Sequence, residues 1–242
     1  MSKAERIRIS IKQGGRRVLR GQASTERGDR GFTVIELMVA TAVFSVLLIV
    51  VTVGILQISR VYYRGITESN TQDTARRITD IIAQSIQFSG SNITTTDPEA
   101  EPGAAHAFCI GNEQFSYTPG YQVVDDPDPS LHQTYHGLVQ HTVAGCTGST
   151  EPQDVRSPSV DGRELLEPNM RLSKLDVLHV GPNLYRVDVR VVFGDDDLLQ
   201  SPSDPDGELA ATRPDASCVG VTAGTQFCAV AELSTIVRKR VQ

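Results

Sequence analysis

Glu36 stands alone. From Phe32 to Ser59 it is the one charged residue in a run built mostly of Val, Ile, Leu and Ala. An acid inside a membrane-length apolar helix costs roughly 2.5–3.5 kcal/mol on insertion scales, so such a residue normally has a function. The chemistry open to it is charge pairing. In a low-dielectric setting a carboxylate gains most from a nearby cation, and a cation gains equally from it. Gly31 and Phe32 lie just before the apolar run.

The other reactive side chains make weaker patterns. His132 and His136 are four apart, but Gly137 and the strand-like residues after it argue against a shared helix face. No His-Glu-x-x-His occurs, so no histidine metal site is expected. Asp195, Asp197, Asp204 and Asp206 collect hard oxygen ligands and are calcium candidates. Pro205 interrupts them and the bidentate Glu of a calcium-hand loop is missing, so a solvated acidic loop is the preferred reading. No Gly-x-Ser-x-Gly and no phosphate-binding glycine loop is visible. Neither a catalytic residue nor a cofactor is expected, and the chain reads as non-enzymatic.

Four cysteines, Cys109, Cys146, Cys218 and Cys228, all lie beyond the apolar run. No Cys-x-x-Cys spacing marks a zinc site, and an even count outside the cytoplasm points to disulfides. Three pairings are possible. Proximity along the chain favours Cys218–Cys228, which leaves Cys109–Cys146.

The elements that must position these groups follow from patterning. Residues 1–31 hold nine Lys/Arg against three acids, a net of +6, so the rest of the chain carries −12. Basic flanks stay in the cytoplasm, which predicts an N-terminus inside and an exported acidic body. That body is a poor surface for nucleic acid, and no direct nucleic-acid binding is expected. Residues 32–59 make a helix of about 40 Å, against a hydrocarbon core of roughly 30 Å. The candidate cleavage point comes before the apolar run, not after it as in a secretory signal, so the anchor stays on the mature protein.

The helix is predicted to continue over 60–90. Ala75, Ile78, Ile82 and Ile86 form an apolar stripe, and Ser89-Gly90 is a reasonable stop. Residues 91–242 read as a strand-rich body with long acidic loops. Expected strands are Ala107–Ile110, Gln114–Thr118, Tyr121–Val124, Gly137–Val143, Leu175–Val180, Leu184–Phe193 and Glu232–Val241. Clean alternation over Leu184–Phe193 predicts one buried face and one solvated face. Residues 164–175 are read as a short helix interrupted by Pro168. One long helix followed by strands gives an α+β class with an antiparallel sheet.

With the basic leader, Gly31-Phe32-Thr33-Val34-Ile35-Glu36 and the apolar helix in place, the chain resembles the type IV prepilin and pseudopilin family. The resemblance implies cleavage between Gly31 and Phe32 by a prepilin peptidase. It also implies N-methylation of Phe32 by the same enzyme, and a role for Glu36 in subunit assembly. It further implies a pilin-like fold, with the long helix packed on an antiparallel sheet. Partners would be other major and minor pilins or pseudopilins in a hetero-oligomeric filament. Location would be the inner membrane first, then the pilus or cell surface. Many major pilins carry both Gly and Pro in the apolar half; Gly54 is present here without Pro, which argues against unwinding. The ending Leu-Ser-Thr-Ile-Val-Arg-Lys-Arg resembles that of minor pilins of the PilW type. The Cys218–Cys228 loop resembles the disulfide-bounded region that major pilins expose for contacts.

Overall fold

A computed structural model describes residues 31–90, 93–96, 104–128, 130–147, 151–203, 213–220 and 224–240. The basic leader before Gly31 lies outside these residues, as do Asp204, Asp206 and Val241. The described residues divide into two units, one up to Val50 and one from Val51 onward.

Helix α1 runs Val34–Phe88 without interruption, through Gly54. No Pro removes a backbone donor in this span, so the ladder of hydrogen bonds can continue. It is long and apolar enough to cross a membrane. Every residue from Gly31 to Val53 is exposed. Leaving so much aliphatic surface open is unfavourable in water, so this stretch needs lipid or neighbouring helices. Further along, Ala75, Ile78, Ile82 and Ile86 are fully buried, as their spacing predicts. The buried line also includes Thr67, Thr71, Thr74 and Thr79, which the apolar pattern does not show. Threonine can enter an apolar face because its hydroxyl bonds back to the preceding turn. Thr71 does so to the Thr67 carbonyl at 2.7 Å and Thr79 to the Ala75 carbonyl at 2.8 Å.

The strands are β1 His106–Ile110, β2 Glu113–Tyr117, β3 Gln122–Val123, β4 Gln133–Thr134, β5 Leu138–Thr142 and β6 Arg163–Glu164. They continue as β7 Met170–Gly181, β8 Leu184–Phe193, β9 Leu199–Gln200, β10 Ser217–Cys218 and β11 Ala229–Arg238. One sheet has the order β1-β2-β5-β6 and another β11-β8-β7. Both are antiparallel throughout. β9 and β10 pair antiparallel, whereas the two-residue β3 and β4 pair in parallel. The α+β class and the antiparallel sheets agree with the sequence reading. One buried cluster joins the inner face of α1 to both main sheets, through Phe108, Phe115, Leu138, Val187, Val189, Val191 and Val237. Each such side chain contributes roughly 1.5–3 kcal/mol on full burial.

Three expectations need correction. Residues 164–175 hold no helix: β6 ends at Glu164, Pro168-Asn169 form a turn, and β7 begins at Met170. Asn169 adopts a φ of +63°, which Asn tolerates better than most residues. β7 also starts five residues earlier than the predicted strand. The cause is a register shift between Leu172 and Lys174. Met170 and Leu172 face the core before it, Leu175 and Val177 after it. The extra residue switches parity and hides the strand's first half from a period-two reading. Finally, the outer face of β8 is not simply solvated. Val192 is fully buried in a second cluster with Leu198, Leu199 and Cys228.

Candidate assembly site

Gly31 and Phe32 precede α1, so cutting their peptide bond would break no helical ladder. Phe32 is 85% exposed. A Cβ added at Gly31 would meet nothing within 4 Å, so the chain itself does not demand glycine there. Thr33 accepts the first helical hydrogen bond, from Leu37 N–H to its carbonyl at 3.2 Å. It is therefore the N-cap.

Glu36 closes a reciprocal capping box with it. The Thr33 N–H donates to Glu36 Oε2 at 2.9 Å, and the Thr33 hydroxyl donates to the same oxygen at 2.8 Å. In return the Glu36 N–H donates to Thr33 Oγ1 at 3.3 Å. The Thr-x-x-Glu spacing states this box in the sequence, and reading Glu36 only as a charge misses it. The box explains how the carboxylate is held at the helix entrance. Its negative charge also faces the positive end of the helix dipole. Cleavage after Gly31 leaves the Thr33 N–H as an amide, so the box survives processing.

Residues 27–52 match the family model described as the prokaryotic N-terminal methylation motif. The chain carries a prepilin-type processing signal. That motif supports a type IV pilin or pseudopilin-type protein and implies processing by a prepilin peptidase. The prepilin-type signal ends at residue 52, and the rest of the body lies outside it. Neither the curated proteins nor the solved structures give a match.

The structure joins Cys109 to Cys146 and Cys218 to Cys228, each with Cα atoms 5.8 Å apart. The first ties β1 to the segment after β5. The second ties β10 to the start of β11. The stretch entering Cys228 lies against α1: the Phe227 ring centroid is 6.0 Å from that of Tyr63. A cavity beside it is lined by Arg64 and Glu68 of α1, the Cys218 and Cys228 disulfide, and Thr225.

The acidic run at 195–197 serves a buried arginine. Arg171 has no exposed surface and donates to the Gly120 carbonyl at 3.0 Å, the Gly194 carbonyl at 2.8 Å and the Asp196 carboxylate. Burial lowers the guanidinium pKa, and Asp196 opposes that shift. Asp195 accepts from Gln122 at 3.0 Å. No grouping of three or more His, Cys, Asp or Glu able to hold a metal occurs among the described residues, Asp195 and Asp197 included. His132 lies 3.3 Å from Asp196, and His136 lies 3.5 Å from Glu164. They therefore face separate acids and do not converge. Nothing in the sequence pointed to Arg171, because its partners come from two separate loops, at Gly120 and at Gly194–Asp196.

Proposed function

We infer that this protein is a minor type IV pilin, a low-abundance subunit that helps initiate, cap or functionalise a pilus. The observation that carries this is the capped carboxylate at the head of an uncovered apolar helix, directly beside the Gly31–Phe32 bond. A helix of this kind serves two solvents in turn: the bilayer before assembly, and the packed helices of a filament core after it. Prepilin peptidase cuts before Phe32 and methylates its amine. Methylation keeps the positive charge, so Glu36 of one subunit neutralises the amine of the next and sets their axial register. Before assembly the helix spans the inner membrane, with the strand-rich body outside the cytoplasm. The chain catalyses nothing; its body supplies partner contacts, in adhesion, twitching or DNA uptake. The C-terminal resemblance to PilW-type minor pilins favours the pilus over a J-type pseudopilin of type II secretion or a competence pseudopilin.

Deleting the gene and scoring surface pili, twitching, DNA uptake and protein export together tests the assignment. Loss of pili and twitching with normal export is expected. Loss of export with intact pili moves the protein to the secretion pseudopilins. Mass spectrometry adds the processing result: methylated Phe32 is expected as the first residue, and an intact leader defeats the reading.

A further inference from the structure

An aromatic group gathers where α1 changes from apolar to charged. Arg60 is the first charge after Glu36, and Arg64 follows one turn later. Between them stand Tyr62 and Tyr63, 65% and 52% exposed, with ring centroids 6.1 Å apart. Phe227 joins them from near the end of the chain, 47% exposed and against Tyr63. Its backbone is fixed on both sides. The Phe227 N–H donates to the Gly224 carbonyl at 2.8 Å, and the next residue, Cys228, is bonded to Cys218. A phenylalanine is thus held outward beside two outward tyrosines.

We propose that Tyr62, Tyr63 and Phe227 rest in the headgroup layer of the phospholipid bilayer while the subunit waits in the membrane. This rests on the membrane-spanning reading above. The depth follows from helix geometry. The uncharged residues 37–59 rise about 35 Å, which a helix tilt of about 30° brings to the roughly 30 Å of a hydrocarbon core. Tyr63 is four residues beyond Ser59, about 6 Å higher, and the headgroup layer adds roughly 5–7 Å on each side. Tyr places an apolar body in acyl chains and a hydroxyl at the polar boundary, which suits this layer. Arg60 and Arg64 form no ion pair among the described residues. They are available to lipid phosphates, which an otherwise acidic body would repel. The body is then held at two points, by its helix and by Phe227. Extraction into a filament must release both.

The chain contains no Trp, so one introduced indole reports alone. The full chain, as Phe227→Trp, Tyr62→Trp or Phe44→Trp, is placed in phosphatidylcholine–phosphatidylglycerol vesicles. The lipids carry bromine at either shallow or deep acyl positions. Shallow bromine is expected to quench Trp at 227 and 62 more than deep bromine does, with a blue-shifted emission. Phe44→Trp is expected to show the reverse order. If position 44 behaves so while 227 and 62 escape bromine, the interfacial contact is overturned and the patch faces water or another protein. If position 44 also escapes, the spanning reading fails and takes this proposal with it. Tyr62→Trp lies on an open helix surface and decides the matter should Phe227→Trp disturb its disulfide.

Discussion

Glu36 caps the helix in this structure and pairs a charge in the proposed filament, and one substitution separates the two. As a cap it bonds the Thr33 N–H and hydroxyl. As a charge it would pair with the amine of a neighbouring Phe32. Glu36→Gln keeps the first role, since Gln also closes a capping box, and removes the second. Glu36→Ala removes both, and Thr33→Ala weakens only the cap. A lost N-cap costs about 1 kcal/mol, roughly fivefold in an equilibrium. An unpaired charge left in a buried setting costs about 3–5 kcal/mol, a hundredfold or more. Glu36→Gln should therefore lower the ratio of filament-borne to membrane-held subunit at least about a hundredfold. Glu36→Ala should lower it about fivefold more, and Thr33→Ala about fivefold from native. Immunoblots of sheared filaments and membranes read the ratio. Mass spectrometry of each variant confirms methylated Phe32, so that loss of assembly is not loss of processing. Native-like incorporation of Glu36→Gln beside failure of Glu36→Ala would refute the electrostatic argument and leave the acid as a helix cap.

Arg171→Met should destabilise the body by about 3–5 kcal/mol, because it strands the Gly120 and Gly194 carbonyls and the Asp196 carboxylate. Urea unfolding of the full chain in mild detergent, followed by circular dichroism, measures it; a loss under about 1 kcal/mol contradicts the role given to Arg171. Burial raises the Glu164 pKa, opposed by N–H bonds from Leu166, Leu138 and Gly137 and by the charge of His136. The folded state then holds the Glu164 proton more tightly than the unfolded chain. Its contribution is present at low pH and is lost as pH rises from the ordinary glutamate value through the raised one. Urea midpoints across that window should fall with pH, and Glu164→Gln should flatten this part of the slope. Opening Cys109–Cys146, which closes 37 residues, should cost about 1 kcal/mol more than opening Cys218–Cys228, which closes 10. Paired Cys→Ser variants in the same unfolding assay compare them, and equal losses would reject the loop-entropy account.

Local information was enough for the front of the molecule. Gly31, Phe32, Thr33 and Glu36 lie within six residues, and the apolar run announces its own solvent. The buried line at Ala75, Ile78, Ile82 and Ile86 was legible because helical periodicity repeats one residue type on one face. β8 was legible to the residue for the same reason at period two. Thr67, Thr71, Thr74 and Thr79 were not legible, because a threonine's burial depends on what lies opposite, not on its own polarity. The first half of β7 was lost to a bulge, since one extra residue erases alternation while leaving pairing intact.

What the tertiary structure alone decided are the meetings of distant residues. Arg171 finds carbonyls at Gly120 and Gly194, and Phe227 reaches Tyr63 across most of the chain. Such contacts leave no pattern in a sequence, because periodicity records the nearest turn or strand and says nothing of which loops a folded core brings together. The processing signal needed no such closure: its parts are one helical turn apart, and the helix that positions them is specified by the same residues.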